Sequence, residues 1–113
     1  MINEVNMKDQ LKEKYPFIKC NIECNDGWLF HLEEMCHLLS YHIENNKEFE
    51  IVQIKEKFGT LRVYGINSSE RIDAIIGVYE YQSGRICENC GAPGTARVNG
   101  WVKTLCDKCH KEE

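Results

Sequence analysis

Two C-x-x-C pairs, Cys87-Glu88-Asn89-Cys90 and Cys106-Asp107-Lys108-Cys109, stand in the last quarter of the chain with fifteen residues between them. This spacing is typical of a four-cysteine zinc site. Each C-x-x-C turn lets two sulfur atoms converge on one point, and Zn²⁺ binds four thiolates tetrahedrally at about 2.3 Å. Because four protein ligands leave no open position for water, the pattern predicts one structural zinc ion and no catalytic metal.

The segment between the two pairs predicts a β-hairpin. Asn99-Gly100 favours a type I′ turn, and residues 95–98 and 101–104 are typical of the two short strands that flank it. Gly91, directly after the first pair, suits a knuckle that continues in the left-handed conformation, and the second pair should begin a short helical turn. This order resembles a treble-clef or ribbon-type zinc finger over residues 87 to about 111, which implies a scaffold and not a function.

Three other uses of these cysteines were weighed. Two disulfides would suit an oxidising compartment, but no signal peptide is visible, so we expect a cytoplasmic protein with reduced cysteines. The run from Cys106 to His110 also spells the c-type haem attachment motif, which would leave Cys87 and Cys90 without a role. A redox C-x-x-C pair is typical of a βαβ setting, and that pattern is missing from the sequence around both pairs.

Chain length indicates the domain organisation, and the distribution of charge limits the class of partner. A chain of 113 residues predicts one α+β body at residues 1–86 with a four-cysteine zinc module at residues 87–113. The net charge is −4; the first part carries ten basic and fourteen acidic residues, and the second carries four of each. Proteins that hold nucleic acid non-specifically use Lys and Arg on phosphates. The acidic balance therefore favours a protein partner over direct contact with nucleic acid.

The body reads as helices on one face of a small antiparallel sheet. Residues 3–15 predict an amphipathic helix that Pro16 ends. A second helix is expected from an Asp26 N-cap to about Glu44, because apolar residues recur there at helical spacing. Its predicted buried stripe is Trp28, Leu32, Met35, Leu39 and Ile43, and the first helix is anchored by Val5, Leu11 and Tyr15.

The rest of the body predicts a hairpin and a third helix. Residues 48–66 alternate as a β-hairpin that turns at Phe58-Gly59-Thr60. The third helix spans residues 67–83, with Asn67 and Glu70 at capping-box spacing and Gly84 as a C′ cap. Because residues 85 and 86 lead directly into the first C-x-x-C pair, we expect the zinc module to dock on the body.

Other candidate chemistry is weaker. Cys20, Cys24 and Cys36 could form a second metal site, but buried cysteine also packs as a small hydrophobe. The second predicted helix carries three histidines, namely His31, His37 and His42. They form no H-E-x-x-H motif, so a catalytic base among them has little support. Some nucleases on treble-clef scaffolds place a histidine on the hairpin, and residues 95–104 contain none, which disfavours that use of His110.

Two features predict a partner-binding surface. Trp101 lies on the thin zinc hairpin, where it either anchors a partner or docks the hairpin onto the body. Most of the other aromatic anchors should belong to the core; these are Trp28, Tyr41, Tyr64, Tyr79 and Tyr81. Acidic residues around the first strand form either a solvated face or a negative patch that meets a basic groove; they are Glu44, Glu48, Glu50 and Glu56.

Three stretches carry a resemblance to small zinc proteins encoded by phages. They are Gly27-Trp28 at the start of a helix, residues 55–64 (KEKFGTLRVY), and Cys87-Glu88-Asn89-Cys90-Gly91 ahead of a Trp101 to Cys106 segment. Among named groups the chain is most similar to zinc-containing anti-CRISPR inhibitors of Cas9. The resemblance implies a non-enzymatic protein that binds a Cas9-like nuclease and blocks its DNA loading or cleavage in the bacterial host cytoplasm.

Three alternatives to an inhibitor stay open. A toxin-immunity protein would have a very similar sequence. A nucleic-acid-binding zinc finger would use Arg97, Lys103 and Lys108, although the module is not basic overall. An enzyme on the treble-clef scaffold would depend on His110.

Overall fold

The computed structural model describes residues 6–98 and 100–112, and it confirms the predicted α+β class. Two sheets and four α-helices alternate along this part of the chain, and two 3₁₀ turns lie at Asp26–Trp28 and Ile43–Asn45. None of the helices in the described ranges is long and apolar enough to span a membrane. The elements are α1 (Met7–Lys14), β1 (Ile22–Glu23), α2 (Leu29–Ser40), β2 (Glu50–Lys57), β3 (Thr60–Ile66), α3 (Glu70–Ser83), β4 (Thr95–Arg97), β5 (Lys103–Leu105) and α4 (Asp107–Lys111).

The larger sheet has the strand order β1-β2-β3. The predicted hairpin is confirmed as the antiparallel pair β2–β3, with Ile54 opposite Val63. The sequence analysis missed β1, which pairs parallel to β2 through Ile22 opposite Ile54. A strand of two residues has too few positions to show a period, so only its partner in the folded chain reveals it.

The core lies between one face of this sheet and the helices α2 and α3. The inward residues Ile54, Leu61 and Val63 are buried, since side chains on the same face of a strand recur every two residues. The predicted stripe of α2 is confirmed at its first four positions, and Ile43 is half-buried against the same core. Buried residues of the two helices include Leu29, Leu32, Met35, Cys36, Leu39, Ile72 and Ile76, and Trp28 is buried in the 3₁₀ turn before α2.

The start and end of α2 differ from the prediction. Asp26 is not an N-cap but belongs to a 3₁₀ turn, because the Gly27 N–H donates to the Glu88 carbonyl at 2.7 Å and fixes the chain there. The helix also ends at Ser40, short of Glu44. Its last N–H groups bond three residues back, as in Tyr41 to Leu38, which tightens the chain into a 3₁₀ turn.

The caps of α1 and α3 also needed correction. The predicted anchor Val5 lies outside the described residues, and α1 begins at Met7. Ser69, not Asn67, caps α3, because its Oγ accepts from the Ile72 N–H at 3.2 Å. Asn67 instead has a φ of +55° and donates from its side chain to the Glu48 carbonyl. Gly84 does follow α3, but its φ of −67° is right-handed, so it supplies no left-handed cap.

Side chains of α3 accept hydrogen bonds from the backbone N–H groups at the outer edge of β3. An edge strand leaves unpaired N–H groups that must be covered or exposed to water. Ser83 Oγ accepts from the Leu61 N–H at 2.8 Å, and Glu80 Oε2 accepts from the Val63 N–H at 2.9 Å. These two bonds therefore close the sheet with a helix in place of a fourth strand.

Replacing Ser83 with Ala should destabilise the fold by about 1–3 kcal/mol, because the buried Leu61 N–H then loses its acceptor. Ser83 is fully buried, so water cannot replace the hydroxyl. Urea denaturation gives the free energy of unfolding. Ser40→Ala is the control, since Ser40 is only half-buried and bonds within its own helix. Equal stability of the two variants would contradict the edge-closing role.

Candidate metal centre

The four predicted cysteine ligands meet at one point. The Sγ atoms of Cys87, Cys90, Cys106 and Cys109 all lie within 4.8 Å of one another, and Cys90 Sγ is 3.6 Å from Cys106 Sγ. A tetrahedron with metal–sulfur bonds of 2.3 Å has sulfur–sulfur edges of about 3.8 Å. The cluster thus has the size that a tetrahedral metal ion requires, and it could hold one.

The first pair lies in a tight knuckle. The Gly91 N–H donates to the Cys87 carbonyl at 2.9 Å, and the Cys87 N–H donates to the Ala92 carbonyl at 2.7 Å. Gly91 has a φ of +86°, which confirms the predicted left-handed residue. A side chain at Gly91 would also crowd the Gly27 carbonyl. The knuckle therefore requires glycine for both conformation and space.

The second pair starts at the end of β5 and continues into α4. Cys106 is the N-cap of α4, and its Sγ accepts from the Cys109 N–H at 3.4 Å, so the predicted helical turn is confirmed. Both strands are one residue shorter than expected: β4 ends at Arg97, and β5 begins at Lys103 and ends at Leu105. Asn99 lies outside the described residues, so the type I′ turn stays a prediction, although Gly100 has a φ of +83°.

The protonation of the four thiols differs across the cluster. Burial opposes ionisation of Cys87, but backbone N–H groups of Cys106, Cys90 and Asn89 outweigh it and lower the pKa of this thiol to about 6. At Cys90 a backbone N–H lowers the pKa, yet its sulfur neighbours raise it above the ordinary value. The Cys106 side chain and burial raise the pKa of Cys109. The site thus favours the first thiolate and resists further negative charge without a cation.

Glu88 ties the first knuckle to the body, and the sequence analysis gave it no role. Its carboxylate is buried and accepts from the Asn25 N–H at 3.0 Å, while its carbonyl accepts from the Gly27 N–H. The Glu88 N–H donates to the Thr104 carbonyl at 3.0 Å, which links the knuckle to β5. A glutamate inside a C-x-x-C motif carries no sequence signal for this use, because its partners on the body, Asn25 and Gly27, lie about sixty positions away.

Two further contacts join the cysteine-rich part to the body. Thr104 is buried, and its hydroxyl donates to the Gly59 carbonyl at 2.6 Å at the turn of the β2–β3 hairpin. The Trp28 indole N–H donates to the Ile86 carbonyl at 2.9 Å, directly before the first ligand. The metal ligands are therefore held by the core of the body as well as by one another.

Trp101 does not dock the hairpin, because 79 % of its surface is exposed. That correction leaves its partner-binding role as a prediction. Three other aromatic residues expected in the core are exposed as well, namely Tyr41, Tyr64 and Tyr81, whereas Trp28 is buried and Tyr79 half-buried.

The Arg97 side chain is held within the cysteine-rich module. Its guanidinium donates to the Leu105 carbonyl at 3.0 Å and to the Asp107 carboxylate at 2.8 Å. This arrangement braces β4 against the start of α4 and lowers the pKa of Asp107. Arg97 is therefore a poor phosphate ligand, which weakens the zinc-finger route to nucleic acid.

The histidines and the remaining cysteines form no second centre. Within the described residues, the four-cysteine cluster is the one group of three or more ligand-type side chains that converge. His31 is buried with Nε2 2.7 Å from the Tyr79 carbonyl, and His37 contacts Tyr41. Burial raises the pKa of the Cys24 and Cys36 thiols to about 12, so both pack as neutral side chains; the remaining cysteine is the half-buried Cys20.

The four predicted partner-binding carboxylates are spread over the body. Glu44 lies in a 3₁₀ turn and Glu48 in the loop before β2, and both are exposed. Glu50 and Glu56 lie at opposite ends of β2, about 20 Å apart at 3.3 Å per residue. Glu56 Oε2 also accepts from the Gly59 N–H at 2.7 Å, which stabilises the hairpin turn.

Comparisons with known proteins add no family to this description. No family model, no curated protein and no solved structure matches the chain. The function is therefore argued from the site alone. Four cysteine sulfurs are enough to complete the tetrahedral shell of one metal ion.

Proposed function

We propose that this chain is a non-enzymatic binding protein whose C-terminal module holds one structural zinc ion. The convergence of four cysteine sulfurs within 4.8 Å supports this function. Tetrahedral sulfur sites suit Zn²⁺, and iron centres share that preference. Zinc is the better fit because two C-x-x-C pairs with fifteen residues between them have the spacing typical of zinc sites.

Metal analysis of the purified protein tests this proposal. We expect one zinc per chain and no stoichiometric iron. Replacement of the metal by Co²⁺ should give the visible absorption of a tetrahedral tetrathiolate complex. A protein that is folded and free of metal, or that binds iron in its place, would contradict the proposal.

Binding of zinc near pH 7 should release at least two protons. The pKa values of Cys90 and Cys109 are raised, so both thiols are protonated before the metal binds, whereas the Cys87 pKa of about 6 leaves that sulfur ionised. Metal ligands must be deprotonated, so affinity falls as the pH drops through this range. Calorimetric titration with zinc in two buffers of different ionisation enthalpy measures the proton count. A count near zero would overturn the assignment of these thiols.

The finer proposal concerns the partner. We infer from the resemblance described above that the partner is a Cas9-like nuclease and that the chain acts as a phage-encoded inhibitor of it. The exposed Trp101 and the exposed carboxylates Glu44 and Glu48 are suited to a basic surface on such a partner.

Plasmid cleavage by several Cas9 types, with this protein in excess, tests the finer proposal. Trp101→Ala should fold normally and inhibit less, whereas Tyr41→Ala, a change at another exposed aromatic residue, should inhibit like the unaltered chain. Unchanged cleavage by every Cas9 would remove the inhibitor proposal and leave the zinc site unaffected. Recovery of a different protein in a pull-down that survives nuclease treatment would point to an immunity or related role.

A further inference from the structure

The β2–β3 hairpin has a second face that turns away from the core. Outward positions alternate with the buried ones, and they pair across the strands as Gln53 with Tyr64, Lys55 with Arg62, and Lys57 with Thr60. We call these six residues the open face. Tyr64 is 42 % exposed, and Phe58 at the adjoining turn is 70 % exposed.

The open face collects positive charge from a chain that is acidic overall. Lys55 and Arg62 are direct cross-strand partners, and like charges in that position destabilise a sheet. Within the described residues, no carboxylate lies within ion-pair distance of Lys55, Lys57 or Arg62. The carboxylates of Glu23, Glu56 and Glu88 line the same surface depression as Lys55, together with Lys8 and Lys103. Two of them accept backbone N–H bonds, Glu56 from Gly59 and Glu88 from Asn25, so the cations that lie beyond these acids are Lys57 and Arg62.

Phe58 adopts a backbone conformation that suits a different residue. Its φ is +53° and that of Gly59 is +83°, the pattern of a type I′ turn, in which Asn-Gly is strongly preferred. A bulky side chain in the left-handed region is a conformational outlier. Because Phe58 is also largely exposed, it gains little burial in return. Folding alone would favour asparagine here, so the phenylalanine points to a contact outside this chain.

Each exposed ring on this side of the hairpin has an ammonium group beside it. Lys57 Nζ is 5.7 Å from the centre of the Phe58 ring, and Lys55 Nζ is 5.8 Å from the centre of the Tyr64 ring. Tyr64 lies four residues along β3 from Thr60, the first residue after the turn that holds Phe58, so roughly 13 Å of strand separates Tyr64 from that turn. Proteins that bind single strands combine aromatic rings, on which bases stack, with cations that contact the backbone phosphates.

We propose that the open face and Phe58 together bind single-stranded nucleic acid. Bases stack on Phe58 and Tyr64, and phosphates contact Lys55, Lys57 and Arg62. An acidic peptide would match the cations but not an exposed aromatic ring held in an unfavourable conformation. A duplex would match the cations but hides its base faces. This surface shares no residue with Trp101 or the four cysteines, although Gly59 at its turn contacts Val102 and Thr104 of the zinc module. Its role does not depend on the protein partner.

Fluorescence anisotropy with labelled 12-nucleotide single strands, one DNA and one RNA of mixed sequence, tests the proposal on the zinc-loaded chain. Binding should weaken with salt, and three phosphate contacts give a slope of about −2 for the logarithm of the association constant against that of salt concentration. A duplex of the same length should bind at least about tenfold more weakly. An acidic peptide of the same charge should compete poorly.

Two variants with matched controls locate the surface. Phe58→Asn should weaken binding about tenfold or more, the scale of one lost base stack, and should melt at the same or a higher temperature because asparagine suits the turn. Phe30→Gln, at another exposed phenylalanine, should bind normally. Lys57→Gln should reduce the salt slope by about 0.7, whereas Lys47→Gln, at an exposed lysine in the loop before β2, should not change it.

Three results would overturn the proposal. The first is no binding of either single strand at low salt. The second is binding that Phe58→Asn and Lys57→Gln leave unchanged, which would place the nucleic acid elsewhere. The third is an acidic peptide or the duplex that binds as tightly as the single strand. Because Phe58→Asn should not lose stability, its effect on binding cannot be confused with unfolding.

Discussion

Cys106→Ser is expected to abolish tight zinc binding and to unfold the C-terminal module at temperatures where the unaltered chain is folded. The serine hydroxyl is not ionised near neutral pH, so the metal loses one of its four thiolates. In zinc-finger peptides the metal contributes on the order of 10 kcal/mol to folding, and the chain cannot replace it with a second hydrophobic core. Among the residues that the structure describes, the buried apolar cluster around these cysteines consists of Leu105 and the cysteines themselves.

Zinc content after dialysis against a chelator and thermal unfolding by circular dichroism measure this effect. Cys20→Ser is the matched control, since Cys20 is half-buried in the body and is not part of the cluster. The control should keep one zinc per chain and nearly the full melting temperature. Added zinc should raise the melting temperature of the chelator-treated native chain but not that of Cys106→Ser. A Cys106→Ser variant with full zinc content would contradict the assigned ligand set.

The convergence of the four cysteines could be predicted from the sequence because the geometry of each pair is local. A C-x-x-C turn places both sulfurs on one side whatever surrounds it, so the spacing alone determines each half of the site. The same holds for the α2 stripe from Trp28 to Leu39, where 3.6-residue spacing is a property of the helix itself. The two C-x-x-C pairs are predicted to meet because the hairpin between them brings its two ends together.

Features that depend on distant partners could not be predicted. Asp26 looks like an N-cap, but the bond between Gly27 and Glu88 places it in a 3₁₀ turn. Asn67 has capping-box spacing, yet its side chain bonds the Glu48 carbonyl and Ser69 caps the helix. In both places the local signal was sound, and a contact between residues far apart in sequence outweighed it.

Net charge likewise does not reveal how charge is distributed over the surface. Net charge of −4 predicts a surface that repels nucleic acid, and this is true of the average surface. A two-residue period, however, separates the side chains of β2 and β3 onto two faces, and the buried apolar residues leave Lys55, Lys57 and Arg62 together on the other. The net charge does not show that these three cations lie on one face, whereas the register of β2 against β3 does.

Gly27→Ala is expected to destabilise the protein by roughly 2–4 kcal/mol, the sum of overpacking and one lost hydrogen bond. A methyl group at Gly27 would overlap the backbone carbonyls of Cys87 and Glu88, and backbone atoms in a metal knuckle cannot move aside as a flexible side chain would. The Gly27 N–H bond to the Glu88 carbonyl, 2.7 Å long, would have to lengthen or break.

Gly77→Ala is the control, and it should stabilise the protein where Gly27→Ala destabilises it. Gly77 lies in the middle of α3, where an added methyl group would meet nothing within 4 Å. Alanine in place of glycine inside a helix stabilises by roughly 0.5–1 kcal/mol, because it lowers the backbone entropy of the unfolded chain. Urea unfolding of the two variants therefore separates lost space at Gly27 from the general effect of replacing glycine.

Zinc retention of Gly27→Ala distinguishes two ways of losing stability. If the four-cysteine module folds around its metal without help from the body, the variant keeps one zinc per chain while the contacts of Asn25 and Gly27 with Glu88 are lost. Hydrogen exchange would then rise at the Gly27 and Glu88 amides but not at the Gly91 amide, which bonds inside the knuckle to Cys87. If zinc is lost as well, the knuckle needs the body to form its site, and the two parts fold as one unit. Equal stability of the Gly27→Ala and Gly77→Ala variants would show that the close contact at Gly27 does not hold the knuckle in place.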